Sequence, residues 1–151
     1  MLVAHHPLGT SRDTGYQKTR GVGDYGARVR DTLREVGVEA QLMLAGHEHN
    51  LQMIRVDPPG PRLVVIAGGG SRPDDVDTRS RGRLFGQEAL GFARIDLVGG
   101  TDRDRLVVTL FRTSRWAALL GREPEPIARW SVTRSGEVLA EPLAISVLEP
   151  S

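Results

Sequence analysis

"LAGHEHN", residues 44–50, is the stretch on which the reading of this chain turns. An apolar run from Gln41 to Ala45 has strand character and stops at Gly46. His47 and His49 then bracket Glu48. The chain has 4 histidines, and the other two, His5 and His6, stand in "LVAHHPL" (2–8), again at the end of an apolar run. Every histidine therefore sits where a buried strand gives out. On an extended backbone, side chains two residues apart share one side. His47 and His49 could then reach one metal ion, or two adjacent ones, and imidazole suits zinc, iron and other borderline ions. Ligands of α/β sheets bind at the carboxyl ends of strands. If the strands before His5 and His47 are parallel neighbours joined through a helix, His5, His47 and His49 meet on one rim.

The sequence between the two motifs supplies that helix. It is expected over roughly Asp24 to Val36, with Asp24 as N-cap and Val29, Leu33 and Val36 forming one apolar stripe. Gly37 is placed to end it. Before it, Pro7 to Gly23 reads as one long loop, of a length that is usually functional or disordered. After the histidines, Leu51 to Val56 reads as a strand, "DPPGP" (57–61) as a turn, and "RLVVIA" (62–67) as a strand buried on both faces. Residues 68–88 read as a second long, glycine-rich loop. From Gly91 the pattern changes to period two: "FARIDLV" (92–98), a turn at 99–104, then "RLVVTLFRT" (105–113). "GREPEP" (121–126) breaks the chain, and 128–143 is expected to fold as a hairpin around Ser135 and Gly136.

Bulk properties narrow the functional classes. A length of 151 residues fits one domain with a real core. A net charge of +1 argues against broad electrostatic binding to nucleic acid or membranes, so no nucleic acid is expected as a specific partner. Lys18 is the only lysine. An arginine skew can mark phosphate recognition, but here arginine runs from Arg12 to Arg134, as a coding bias would spread it. Without cysteine there are no disulfides and no thiolate metal ligands. No 18-residue apolar run suggests a membrane span. "MLVAHHPLGT" lacks the basic start and long apolar stretch of a signal peptide. Met1 opens directly onto a strand, which leads us to expect a missing N-terminal part.

Other metal and hydrolase templates fit poorly. "HEHNL" lacks the second histidine of His-Glu-x-x-His. A cupin-like barrel wants an acid soon after His49, and only Asp57 is offered, at the far end of the next strand. There is no Gly-x-Ser-x-Gly elbow.

With both motifs in place, residues 2 to about 98 resemble the C-terminal half of calcineurin-like metallophosphoesterases, including the purple acid phosphatase branch. In that family an apolar strand ends in His-x-Pro, here His5-His6-Pro7, and a later one in Gly-His-x-His, here Gly46-His47-Glu48-His49. A strand ending in small residues follows, like "VVIAGGGS" (64–71). The resemblance implies an α/β fold: half of a four-layer αββα sandwich, with a mixed sheet over 1–98 and a β-rich tail over 99–151, together one partial domain. It implies a hydrolase acting on a phosphoester through a dinuclear metal centre of iron, zinc or manganese. His5 and His47 would bind the second metal and His49 the first. His6 occupies a variable position and is not expected to be a ligand. Asn50 would stand behind the ligands. In the "GTSRDTGYQKTRG" loop (9–21), Arg12, Lys18 or Arg20 would contact the substrate phosphate, unless the loop is simply solvated.

The departure from the family is large. Its first half contributes Asp-x-His, Gly-Asp and Gly-Asn-His motifs, and none is present in that order; the Gly-Asp at 23–24 falls after the His5 motif. Two metals about 3.5 to 4 Å apart need bridging carboxylates. Asp13 and Asp24 are the nearby acids besides Glu48, which should point away from its histidine neighbours on an extended backbone. The expectation is that this chain alone binds at most one metal, weakly, and hydrolyses little without its missing half or a complementing chain. The alternative is a non-catalytic metal-binding or partner-binding module that completes another chain. One helix looks too small to cover both faces of the sheet.

Overall fold

The computed structural model describes residues 1–10, 25–70, 72–76, 81–100, 104–114, 116 and 119–143. It is a mixed α/β protein, mostly sheet, with two sheets. The elements are β1 (Leu2–Ala4), α1 (Tyr25–Glu35), β2 (Leu42–Ala45), β3 (Leu51–Arg55), β4 (Leu63–Ala67), β5 (Arg83–Gln87), β6 (Leu90–Val98), β7 (Arg105–Thr113), β8 (Glu125–Thr133) and β9 (Val138–Ala140). The first sheet has the order β1-β2-β4-β3-β5, and the second β6-β7-β8-β9.

Strand β4 shows why the first sheet lies inside. Its alternate side chains go to opposite faces. Leu63 and Val65 join a core shared with Val108, Leu110, Ala128 and Val132 of the second sheet. Val64 and Ile66 join the other core, with Leu8, Met43 and Ile54, against which Tyr25 and Val29 of α1 pack. A strand buried on both faces must be apolar at every position, and "LVVIA" is. Three layers result: helix, mixed sheet, antiparallel sheet. The face that one helix could not cover is covered by the chain's own C-terminal strands.

In the first sheet β1 pairs parallel with β2, and β2 parallel with β4. The β1–β2 register sets Ala4 beside Ala45, so both strands end at the same rim. Strand β3 returns antiparallel beside β4. The second sheet is an antiparallel meander, with β6 and β7 in unbroken register from Leu90–Thr113 to Val98–Arg105. It begins at Leu90, so it draws on residues before 99 as well as after. The hairpin around Ser135 and Gly136 is present, with Gly136 at φ 86° and β8 paired to β9.

Strand β5 corrects the reading of 68–88 as one loop. Five residues, "RLFGQ", pair with β3 across a register shift near Met53 and Ile54. The strand lies at a sheet edge and is only partly buried, so it needs no apolar alternation. Backbone pairing with β3 holds it, together with Leu84 and Phe85, which pack against the shared core; two adjacent apolar residues give no period to read. Strand β8 likewise starts at Glu125, inside the expected break. The helix begins by Tyr25; Asp24, its expected cap, lies outside the described residues. Among the described residues no helix is long and apolar enough to cross a membrane.

Candidate metal centre

The parallel pairing of β1 with β2 carries His5 and His47 to one rim. The ladder continues one step past the strands, with the Gly46 amide donating to the His5 carbonyl at 3.2 Å. His47 follows immediately, and its Nδ1 lies 3.2 Å from His5 Nε2. His6 stands beside both. The ring centroids are 4.9 Å apart for His5–His6, 5.1 Å for His5–His47 and 4.3 Å for His6–His47, all edge-on. One ligand atom from each of the three lies within 4.8 Å of the others. His5 is exposed, and His6 and His47 are half-buried, so the group is open to solvent.

The turn after Gly46 is not extended, which changes the expected use of its side chains. His47 has φ 64°, a left-handed conformation uncommon in residues other than glycine. Glu48 N donates to Gly46 O at 2.8 Å, and Asn50 N to Glu48 O at 2.9 Å, folding the segment into successive tight turns. Alternation therefore fails between 46 and 50. His49 does not join His5 and His47; its Nδ1 lies 3.5 Å from Asp74 Oδ2, and its carbonyl accepts from the Asp74 amide at 2.8 Å.

Glu48 turns inward instead of toward solvent. It is 2% exposed, and Gln52 Nε2 donates to its Oε2 at 2.7 Å and to Asn50 Oδ1 at 2.8 Å. Asn50 and Gln52 are fully buried, and Asn50 Nδ2 donates to the Asp75 carbonyl at 3.2 Å. Asn50 thus lies buried beneath the histidine turn. Buried polar groups are costly unless hydrogen-bonded. This network anchors the turn, although Glu48 Oε1 and Gln52 Oε1 have no partner. Gly68, just past β4, completes the packing: a Cβ there would collide with the Glu48 carbonyl oxygen.

No protein-family description, curated protein or solved structure matches the chain. The site must be judged on its own geometry and donor chemistry.

Electrostatics at His47 favour its neutral ring. Burial lowers the pKa of His47 below its ordinary value, and the charges of His6, His5 and His49 lower it further, against an opposing pull from Glu48. A neutral ring is the form that ligates a metal. The residues present fit one borderline cation. By themselves they do not complete a dinuclear centre, because the donors that converge are all imidazoles and no carboxylate joins them among the described residues. Arg12, Lys18, Arg20, Asp13 and Asp24 lie outside the described residues.

Sequence reasoning missed two features. His6 was set aside by the resemblance, yet it lies nearer His47 than His5 does, ring to ring. Asp74, in the supposed loop, was not considered; its only sequence signal was the acidic pair Asp74-Asp75 in a glycine-rich segment. A cleft of about 540 Å³ lined by Gly9, Arg55, Asp57 and Arg81 to Leu84 opens at the other end of β3.

Proposed function

We propose that this chain carries the histidine side of a metal-dependent phosphoester hydrolase, a dinuclear metallophosphoesterase of the calcineurin-like type. The observation that carries the reading is the meeting of His5 and His47, from two parallel strands, at 3.2 Å on one sheet rim. The same observation gives meaning to the order of the His-x-Pro and Gly-His-x-His motifs. The mixed sheet would be one half of a four-layer sandwich in the complete enzyme. His5 and His47 would hold one metal, and His49 the other. The metals, iron, zinc or manganese, would supply a charge clamp on the phosphoester and an activated water. The chain's own contribution is to hold neutral imidazoles at an open rim, with Asn50 behind the turn. Arg12, Lys18 or Arg20 would meet the substrate phosphate. The bridging carboxylates come from elsewhere, so the chain alone turns over little.

The test is hydrolysis of a simple aryl phosphomonoester and diester with added zinc, manganese or iron. The chain alone should stay near background. Joined to a segment bearing Asp-x-His, Gly-Asp and Gly-Asn-His motifs, it should become active, and His5→Ala or His47→Ala should abolish that activity. Full turnover by the chain alone, or none after complementation, would sink the proposal. A second reading is a non-catalytic metal-binding module that completes another chain. It draws on the convergence of three imidazoles without a carboxylate.

A further inference from the structure

We infer that His6 is a metal ligand, so that His5, His6 and His47 form a mononuclear three-imidazole site for one divalent cation of the zinc class. The inference goes beyond the phosphoesterase reading, which uses His49 and leaves His6 aside, and it stands whether or not this chain takes part in hydrolysis.

The geometry is that of a ligand set. Zinc–imidazole bonds are about 2.0–2.1 Å and tetrahedral, so two donor nitrogens on one ion stand about 3.3 Å apart. His47 Nδ1 and His5 Nε2 are 3.2 Å apart. Extending each bond to the ring centre places the centroids of two such ligands about 5 Å apart. The three pairs here measure 4.9, 5.1 and 4.3 Å. The rings meet edge-on, at 76°, 76° and 62°, rather than stacked. The loosest pair of donor atoms is within 4.8 Å, so closing onto an ion takes a shift of less than about 1.5 Å.

The scaffold explains why three rings gather. His5 is fixed by the parallel ladder through Gly46. His47 is turned by its left-handed backbone, and the buried Glu48–Gln52–Asn50 network holds that turn. Pro7 follows His6 and restricts its backbone. His6 also packs against Tyr25 of α1, with centroids 6.1 Å apart. His49 lies outside this group and beside Asp74. Three neutral donors around one dication leave a fourth position for water or an anion, the pattern of open zinc sites.

The test is titration of the full chain with zinc by calorimetry, and with cobalt(II) by visible absorption, which distinguishes tetrahedral from octahedral coordination. Wild type should bind one ion per chain with the intense cobalt bands of a four-coordinate site. His6→Gln and His6→Ala should each weaken zinc at least tenfold and remove those bands, with circular dichroism unchanged. His49→Ala should change affinity less than threefold. The inference is overturned if wild type binds no ion, if its cobalt bands are weak and octahedral, or if His49→Ala costs as much as His6→Gln. Because no activity is read, these outcomes are separate from the success or failure of the phosphoesterase reading.

Discussion

Strand β4 is buried on both faces, whereas β6 in the second sheet alternates: Ala93 and Ile95 pack inward while Arg94 and Asp96 pair with each other outside. The first sheet is sandwiched and the second is a cover. That difference decides where chemistry can be assembled. The parallel strands of the first sheet bring together residues far apart in the chain, and they do so at strand ends. The antiparallel meander joins neighbours in sequence, and its outward face carries ordinary surface features. Phe92 stacks on Phe111 at 5.1 Å under the Arg94 guanidinium, and Arg112 pairs with Glu125. The buried sheet builds the site, and the half-solvated sheet makes that sheet buriable.

The sharpest way to break this division of labour is Gly68→Ala. The new Cβ would meet backbone at Glu48, which cannot swing aside like a side-chain tip. We expect a loss of more than about 3 kcal/mol in urea unfolding, together with loss of zinc binding. A stable variant that binds zinc normally would show that the turn does not depend on this approach.

Leu110→Ala tests whether cover and site sheet are one cooperative unit. Leu110 is fully buried in the core shared by the two sheets. The expected cost is about 3 kcal/mol, with one transition seen alike by circular dichroism and by Trp130 fluorescence. Two separated transitions would mean that the second sheet unfolds independently.

Gln52→Ala acts on the site sheet alone. It removes the donor shared by Glu48 and Asn50 and leaves a buried carboxylate oxygen without its partner. A cost of about 2 kcal/mol is expected, with a further fall in metal affinity as the His47 turn loosens. A fall in stability with unchanged affinity would separate the network from the histidines.

The smallest effect is on pH dependence. The folded-state pKa of His47 lies below its unfolded value of 6.5. Between the two, the unfolded chain binds more protons, so stability rises with pH. The contribution is present above 6.5 and is lost as pH falls through the lowered folded value. Proton competition with zinc at His47 should likewise begin at lower pH than for an ordinary histidine. NMR titration of the His47 ring in the metal-free chain checks this; a midpoint at or above 6.5 would contradict it.

Much of the fold was legible because it rests on local pattern. The continuous apolar run of β4, the period-two strand β6, the inward positions Val29 and Leu33 of α1 and the hairpin at Gly136 each follow from side-chain periodicity or turn chemistry; Val36, expected as the third position of the α1 stripe, lies past the helix end and is exposed. Strand β5 was not legible, because it is a short edge strand whose only apolar residues, Leu84 and Phe85, are adjacent and show no period. The histidine rim was half legible. Histidines at strand ends signalled it, and parallel pairing then placed His5 against His47. The choice between His6 and His49 as the third neighbour was beyond the pattern. It depends on the backbone at His47, where one left-handed residue cancels the alternation that would have set His49 beside His47.

The sequence by itself determined that β4 is a strand buried on both faces and that every imidazole stands at the end of an apolar run. Those are properties of neighbouring residues and their hydrophobic period. Strand β1, expected as a buried strand, lies at the sheet edge with Val3 exposed. Tertiary structure alone decided that the C-terminal strands cover the first sheet, that Glu48 is buried with Gln52 and Asn50, and that His6 faces His47 while His49 faces Asp74. Each of these depends on contacts between residues distant in the chain, or on a single backbone angle, and neither leaves a period to read.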